Sequence, residues 1–356
     1  MRLPLVLCLS SLALPALHGA ELVPGLSLGG FGEAHAELAN TQSGSPLHAD
    51  DARNGLDETR LTFPSDADLQ LTYRFEDFTL RTDILASTVP IYDTQTVLLE
   101  QAFIDYRVDS ELTIRGGRFQ NTWLGWEGFH TPELWRVNHS AAWDWNLQNH
   151  AAPGEVLPFL SDGAGVIYAD GELPVTVEAF VVQNVLGEGL GKRGGDNGVG
   201  GSVAWAADGF GRLELGLAYD PRAALTLDGS FESVLAADLN VDVDGLQDHG
   251  WYFAAEVQAH RHPHFAVDGR LYGNDLTALG MANYAVIPGK MSVTAMVDFV
   301  ERGARATDRD LTEYALAVLT RPRKQVRFNV EAFYWQERTA NADAYGAAAV
   351  VLVALP

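Results

Sequence analysis

From Leu26 onward the chain keeps returning to a period of two. Leu26, Leu28, Gly30, Gly32, Ala34, Ala36 and Leu38 share one parity, and Ser27, Phe31, Glu33, His35 and Glu37 share the other. A longer run sets Leu61, Phe63, Ala67, Leu69, Leu71, Tyr73 and Phe75 against Arg60, Thr62, Asp66, Asp68, Gln70, Thr72 and Arg74. Similar runs recur at 231–243, 251–260, 291–299 and 325–334. Successive side chains of a strand point to opposite faces, so each run is a strand with one apolar and one polar side. Many exceed the roughly 5–6 residues usual in soluble sheets and suit the roughly 9–11 that cross a bilayer at a tilt. A soluble sandwich must cover each apolar face with a second sheet, whereas a closed barrel in lipid needs no cover. The expected fold is all-β, a transmembrane antiparallel β-barrel.

The connections carry the same pattern. Short turns fall at Glu76-Asp77, Asp109-Ser110, Asp170-Gly171, Asp208-Gly209, Ile287-Pro288-Gly289 and Arg321-Pro322-Arg323. Longer polar segments fall at 40–57, 88–96, 120–161, 184–198, 220–230, 302–309 and 338–343. Short and long connections in alternation put tight turns on one rim of a barrel and loops on the other. The unbroken alternation from 60 to 75 makes that segment one strand, with Pro64 toward its outer end where an interruption is tolerated. A literal tally gives about 17 strands, and single-chain barrels carry an even number. The expectation is 16 strands, with 18 as the alternative and the miscount placed within 212–260.

Charge and composition narrow the function classes. With 47 acidic against 24 basic residues the net charge is −23, which argues against a nucleic-acid partner because a phosphate backbone needs a basic face. Beyond the N-terminus no stretch reaches 18 apolar residues, so a helical membrane protein is excluded. Met1-Arg2, the apolar stretch Leu3–Leu14 and the small residues before Glu21 read as a secretory signal peptide at 1–20, leaving a barrel at 21–356. The single cysteine, Cys8, lies inside that signal, so the mature chain has no disulfide framework, thiolate metal ligand or thiol nucleophile. An exported, thiol-free, acidic chain fits the bacterial outer membrane, reached through the periplasm.

Leu99-Glu-Gln-Ala-Phe-Ile-Asp-Tyr106, Leu112-Thr-Ile-Arg-Gly-Gly-Arg-Phe119, Leu124-Gly-Trp-Glu127, Pro158 and Gly163-Ala-Gly-Val-Ile-Tyr168 together resemble the OmpL-like β-barrel porin family. Arg118 stands where that family has lysine, and Gln101 intervenes between Glu100 and Ala102. The likeness spans residues 97–182 and consists of strand patterns, so it implies an outer-membrane pore and no particular solute. The chain also departs from the closing aromatic usual in outer-membrane barrels, ending Val350-Val-Leu-Val-Ala-Leu-Pro356. Either an internal signal around Tyr345-Gly346 serves instead, or the barrel reading is weaker.

Counted from a periplasmic N-terminus, 120–161 is the third external loop, and it holds five of the eight tryptophans. So long a connection is uncommon without its own function. Porin-like proteins often fold this loop into the lumen, which makes Trp123, Trp126, Glu127, Glu133, Trp135, Arg136 and Asp144 the candidate constriction. The other reading leaves the indoles at the lipid–water boundary, where they also sit well. On the preceding strands Arg60, Arg74, Arg81, Arg107 and Arg115 share the polar parity and could form a basic ladder along the pore wall. They could equally pair with Asp66, Asp68, Glu76, Asp83 and Asp105 on the same faces.

Farther along, the inward positions turn acidic at Glu178, Glu214, Glu232, Asp238, Asp242, Glu256, Asp268, Asp298 and Glu331. Weak cation preference follows, and the presence of only Lys192, Lys290 and Lys324 disfavours a phosphate-selective pore. His260-Arg-His-Pro-His264 invites a metal, but ligands at i and i+2 with a proline between them close a tetrahedron poorly, so no metal or cofactor is expected. Gly-x-Ser-x-Gly and His-Glu-x-x-His are absent, and no catalytic residues are assigned. The leading reading is a passive diffusion porin for small hydrophilic solutes or ions, in contact with outer-membrane lipid and lipopolysaccharide, and trimeric by analogy. A plugged, non-conducting structural barrel is the second reading. A soluble, secreted carbohydrate-binding β protein is the third.

Overall fold

A computed structural model describes residues 20–41, 58–62, 65–87, 97–120, 160–170, 173–184, 197–207, 210–225, 231–243, 250–263, 272–303, 311–337 and 343–354. In chain order the elements are β1 (Ala20–Val23), β2 (Leu26–Thr41), β3 (Glu58–Thr62), β4 (Ser65–Phe75), β5 (Phe78–Ser87) and β6 (Val97–Arg107). Then come β7 (Leu112–Gln120), β8 (Leu160–Ala169), β9 (Val175–Asn184), β10 (Asn197–Ala207), β11 (Gly211–Leu225) and β12 (Phe231–Val243). The last six are β13 (Trp251–Pro263), β14 (Tyr272–Ile287), β15 (Met291–Gly303), β16 (Leu311–Arg323), β17 (Val326–Glu337) and β18 (Asp343–Ala354).

These elements form sixteen staves. β3 and β4 both pair with β2 in one continuous register, Glu37 opposite Thr62 and Ala34 opposite Ser65, so they are two parts of a single stave. β1 is a short hairpin arm folded back on the start of β2. Every other strand pairs antiparallel with its neighbours in sequence, and β18 pairs with β2 from Ala354–Phe31 to Ala344–Thr41. The sheet therefore closes on itself and leaves no open edge, which is the condition for a sheet to stand in hydrocarbon.

Turn chemistry sets one rim. Glu76, with φ 49°, takes the left-handed conformation a two-residue hairpin needs, between the paired Phe75 and Phe78. Asp109 accepts the backbone N–H groups of Glu111 and Leu112, both at 2.8 Å, and so closes the β6–β7 turn. Lys290 N–H donates to the Ile287 carbonyl at 2.9 Å in the β14–β15 turn. The longest connections, after β2, β5, β7 and β9, leave from strand ends on the opposite rim.

Two details differ from the sequence reading. The β16–β17 turn lies at Lys324-Gln325, beyond Arg321-Pro322-Arg323, because a register shift between Thr320 and Arg323 absorbs Pro322 within the strand. The count of 16 stands, and the connections at 244–250 and 264–271 are two that the sequence did not mark. Pro263 ends β13 opposite Tyr272, so the histidine run reaches a loop-side strand end.

The faces obey the period of two. Leu69, Leu71, Leu80, Ile104, Val203, Leu215, Leu217, Leu316 and Val330 are exposed on the outside. Asp68, Asp83, Arg115, Glu178, Glu214, Asp298 and Glu331 are buried on the inside. Such an arrangement is inverted relative to a soluble protein and suits a lipid exterior. Tyr73, Phe75, Phe78, Tyr106, Trp205, Phe210, Trp251 and Tyr284 gather at the short-turn ends of their strands as an aromatic band, with Phe78–Tyr106 centroids 4.8 Å apart and Trp251–Tyr284 4.7 Å apart.

Candidate functional site: the inner wall of the barrel

The pairing register fixes which side chains can meet inside. On β4–β8 the inward positions carry both signs of charge. Arg81 Nε donates to Asp83 at 3.1 and 2.9 Å, and Gln101 Nε2 donates to the same carboxylate at 2.7 Å. Beside it Gln70 Nε2 donates to Asp68 at 2.6 Å. One level along, Arg115 grips Asp105 bidentately, Nε–Oδ1 2.7 Å and Nη2–Oδ2 2.9 Å, with its guanidinium 4.2 Å from the Phe103 ring centroid. On the outer face, toward the long-loop end of β7 and β8, Arg118 grips Asp162 in the same way at 2.9 and 3.1 Å.

The candidate wall arginines are thus largely neutralised where they stand. Arg81 and Arg115 are paired as above, and Arg107 reaches Asp77 at 3.1 Å on the exposed short-turn rim, a residue beyond the Glu76 expected from sequence. Arg74 is exposed at the end of β4. Arg60 lies opposite Ala39 on β3, and its side chain is outside the described residues. Trp123, Trp126, Glu127, Glu133, Trp135, Arg136 and Asp144 all lie outside the described residues, as does Asp268.

A bulge shapes this sector. Asp83 pairs with Gln101 but Ile84 pairs with Leu99, so Glu100 is an extra residue in β6. The shift lets Leu99 stay exposed outside while Gln101 turns inward to Asp83. The bulge at Glu100 thus aims the amide of Gln101, the residue noted between Glu100 and Ala102, at a carboxylate. Glycine opens room next to it. A Cβ on Gly165 would strike the Phe180 ring, so glycine there lets that ring lie against the wall and meet Phe119 at 4.9 Å.

The far wall is acidic. Asp298 on β15 and Glu313 on β16 are direct cross-strand partners, both 0% exposed, and Glu313 stands opposite Trp335 on β17. Glu256 and Glu331 share this face, with Asn283 donating to Thr294 Oγ1 at 2.6 Å between them. Arg327 lies nearer the short-turn rim. Glu178 faces Ser202 across β9–β10, and Glu214 holds Arg212 at 2.7 Å. The backbone positions of Glu232, Asp238 and Asp242 share the parity of Glu214.

Glu313, Asp162 and Arg212 were not singled out from sequence, and Arg118 was noted only as a replacement for lysine. Glu313 was hidden because its strand is apolar on both parities: Ala315 and Ala317 inside, Tyr314 and Leu316 outside. Among the described residues no group of three or more His, Cys, Asp or Glu side chains could hold a metal ion.

Solved structures share this architecture. The chain is similar to the outer membrane channel DcaP of Acinetobacter baumannii, with a TM-score of 0.64 and 11% identity over 94% of this chain and 99% of that one. It is similar to an anion-selective porin from Comamonas acidovorans, TM-score 0.62 and 11% identity over 92% and 99%. It is also similar to OmpT of Vibrio cholerae, an outer membrane protein in a trimer form, TM-score 0.57 and 11% identity over 92% and 99%. No family model matches the chain, and no curated protein matches it in sequence. The likeness is thus one of fold, and the fold is a sixteen-strand, outer-membrane-type β-barrel.

Proposed function

We propose that the protein is a bacterial outer-membrane porin that passes small hydrophilic solutes or ions passively, with weak cation preference. The carrying observation is a closed sixteen-stave wall whose outside is apolar and whose inside is lined with ionisable groups. In lipid such a wall has no use for inward charge except toward water, ions or an internal segment. The short-turn rim then faces the periplasm, and residues 1–20 serve as the export signal.

The cation preference rests on local pairing. Arg81, Arg115 and Arg212 are each held by a carboxylate. The acids of β13–β17 add to these, so the net inner charge is negative. The loop at 120–161 is proposed as the constriction, with Trp123, Trp126, Glu127, Glu133, Trp135, Arg136 and Asp144 as its functional residues. A trimer is proposed because outward Gly32, Ala34, Ala36, Ala347 and Ala349 on adjoining β2 and β18 would let a neighbour approach closely. The porin-like strand motifs of 97–182 support the same reading.

A second reading has its own support. Asp298, Glu313 and Trp335 face inward yet are at most 1% exposed, whereas a wall beside a wide water column would stay wet. This favours a lumen narrowed at that level, and its extreme form is a plugged barrel without conductance. Single-channel recording of the purified protein in planar bilayers under a salt gradient tests both. Discrete steps with a cation-signed reversal potential are expected; folded protein that gives no steps would remove the porin reading.

A further inference from the structure

The rim that carries the short turns has an unusual charge. The β14–β15 turn bears Lys290, the end of β16 bears Arg321 and Arg323, and the turn that follows bears Lys324. The two corners touch: Arg321 N–H, at the end of β16, donates to the Lys290 carbonyl at 2.7 Å. Neither 283–292 nor 318–328 contains an acid, in a chain that holds only 24 basic residues against 47 acidic ones. Two of the chain's three lysines are here. Among the described residues none of these four side chains has an ion-pair partner, and three of the four are exposed.

A second feature lies on the outer wall below this patch. Between β12 and β15 a groove of about 440 Å³ opens outward, lined almost wholly by apolar surface. Its floor is Gly280, Ala255, Ala282 and Ala295, and Phe253 and Val297 stand at its sides. The small residues make it a true depression, since a Cβ on Gly280 would meet nothing within 4 Å. Trp251, stacked on Phe253 at 5.6 Å and against Tyr284 at 4.7 Å, stands between groove and rim.

Depth links the two. Ala295 lies five residues along β15 from Lys290. At about 3.4 Å per residue that is about 17 Å along the strand, or about 13 Å of depth at a tilt near 40°. One leaflet of a bilayer core is about 15 Å deep, half of about 30 Å. A molecule with an anionic head at the rim, a body at the aromatic band and a hydrocarbon tail in the groove would fit this spacing.

We propose that this face is a binding site for an anionic phospholipid of the periplasmic leaflet. Its phosphate headgroup lies among Lys290, Arg321, Arg323 and Lys324, and one acyl chain lies over Gly280 and Ala295. Clustered cations at a membrane surface draw anionic lipid, each by about fivefold in affinity, and the groove gives the chain a fixed seat. The proposal needs the barrel to stand in a membrane but not to conduct, so its failure leaves the channel reading untouched.

Native mass spectrometry of the full-length protein in detergent, titrated with palmitoyl-oleoyl phosphatidylglycerol or the matching phosphatidylcholine, tests it. The anionic lipid is expected to bind at least tenfold more tightly. The triple variant Lys290→Gln, Arg323→Gln, Lys324→Gln is expected to lose about a hundredfold for phosphatidylglycerol, from about fivefold per charge, and little for phosphatidylcholine. Gly280→Leu, which fills the groove from an open position, is expected to weaken both lipids alike and to leave conductance unchanged. Equal binding of the two lipids by the wild type would overturn the proposal, as would a triple variant that keeps the preference. Displacement of the lipid by inorganic phosphate alone, at concentrations matched to the lipid, would make this a soluble-anion site and overturn it too. So would a Gly280→Leu variant whose lipid binding is intact but whose oligomer mass has changed, because the groove would then belong to a second copy of the chain.

Discussion

Arg115 and Asp105 face each other across β6 and β7 in a two-point grip, Nε–Oδ1 2.7 Å and Nη2–Oδ2 2.9 Å, with the guanidinium also over Phe103. Arg115 is 8% exposed, so the pair is largely withdrawn from water. Removing one member strands the other, which costs more than the pair itself contributes. Arg115→Met is therefore expected to destabilise the barrel by about 2 kcal/mol. The double change Arg115→Met, Asp105→Asn should recover part of that. Urea unfolding in detergent, followed by tryptophan fluorescence, reads both. A double variant no more stable than the single one would show that the pairing is not what matters there.

Ion preference should follow the far wall. Asp298 and Glu313 are paired across β15–β16 on the inner face. A cation passing about 7 Å from one carboxylate through water gains about 0.6 kcal/mol, close to threefold in local concentration. Asp298→Asn with Glu313→Gln is expected to shift the zero-current potential toward the anion side. Asp105→Asn alone should shift it in the same direction but less, because it changes the charge of the wall by one unit and not two. The comparison is made at low salt, where screening is weakest; an unchanged potential would mean that the ion path avoids this wall.

Much of this geometry was legible in the alternation. The run from Arg60 to Phe75 gave one stave through Pro64, and the shared register of β3 and β4 on β2 bears that out. Parity also separated Asp68, Asp83 and Glu331 from Leu69, Ile84 and Val330. It failed where both faces are apolar, as around Glu313, since a buried carboxylate among alanines leaves no period to read. Proline misled at Pro322, because a bulge can hold a proline inside a strand end. Pairings such as Arg118–Asp162, 44 residues apart, depend on strand register, which parity alone leaves open. The basic rim went unread because its four cations come from two separate corners that only the pairing of β15 with β16 brings together.

Adjacent glycines on β7 should behave oppositely. Gly117 has φ 128°, and a Cβ there would strike the Ala102 carbonyl oxygen, whereas a Cβ on Gly116 would meet nothing within 4 Å. Gly117→Ala is expected to cost about 1–3 kcal/mol, as for other residues forced into glycine-only backbone. Gly116→Ala should be near neutral. Thermal unfolding followed by heat-modifiable gel migration distinguishes them, and equal midpoints would count against the β7 backbone conformation.

The Asp109 turn should be sensitive to acid. Its carboxylate accepts the N–H groups of Glu111 and Leu112, and these bonds hold its pKa below the usual 3.8. With the folded value depressed, the carboxylate supports the turn fully above the unfolded value, and that support fades as the pH falls through the folded one. Amide exchange at Glu111 and Leu112, corrected for intrinsic rates, should thus lose protection only below the usual carboxylate range. Asp109→Asn, whose amide oxygen can still accept, should remove the pH dependence while keeping part of the protection. Loss of protection centred at or above 3.8 would mean that the turn is held by other contacts.

The segment at 120–161 offers the sharpest separation of pore from plug. As a constriction it narrows a conducting lumen, so deleting 128–148 should raise single-channel conductance several-fold, since conductance grows with the open cross-section. The same deletion should weaken ion preference, because it widens the distance between passing ions and the charged wall and the field falls with that distance. A plug predicts another pattern: no steps from the intact protein and large, unselective steps after deletion. The deleted protein must first migrate as a folded barrel in the unheated gel, which the closed β2–β18 seam makes the expected result, as that seam does not involve the segment. Unchanged conductance from a folded deletion would place the segment outside the lumen, with its tryptophans at the membrane boundary.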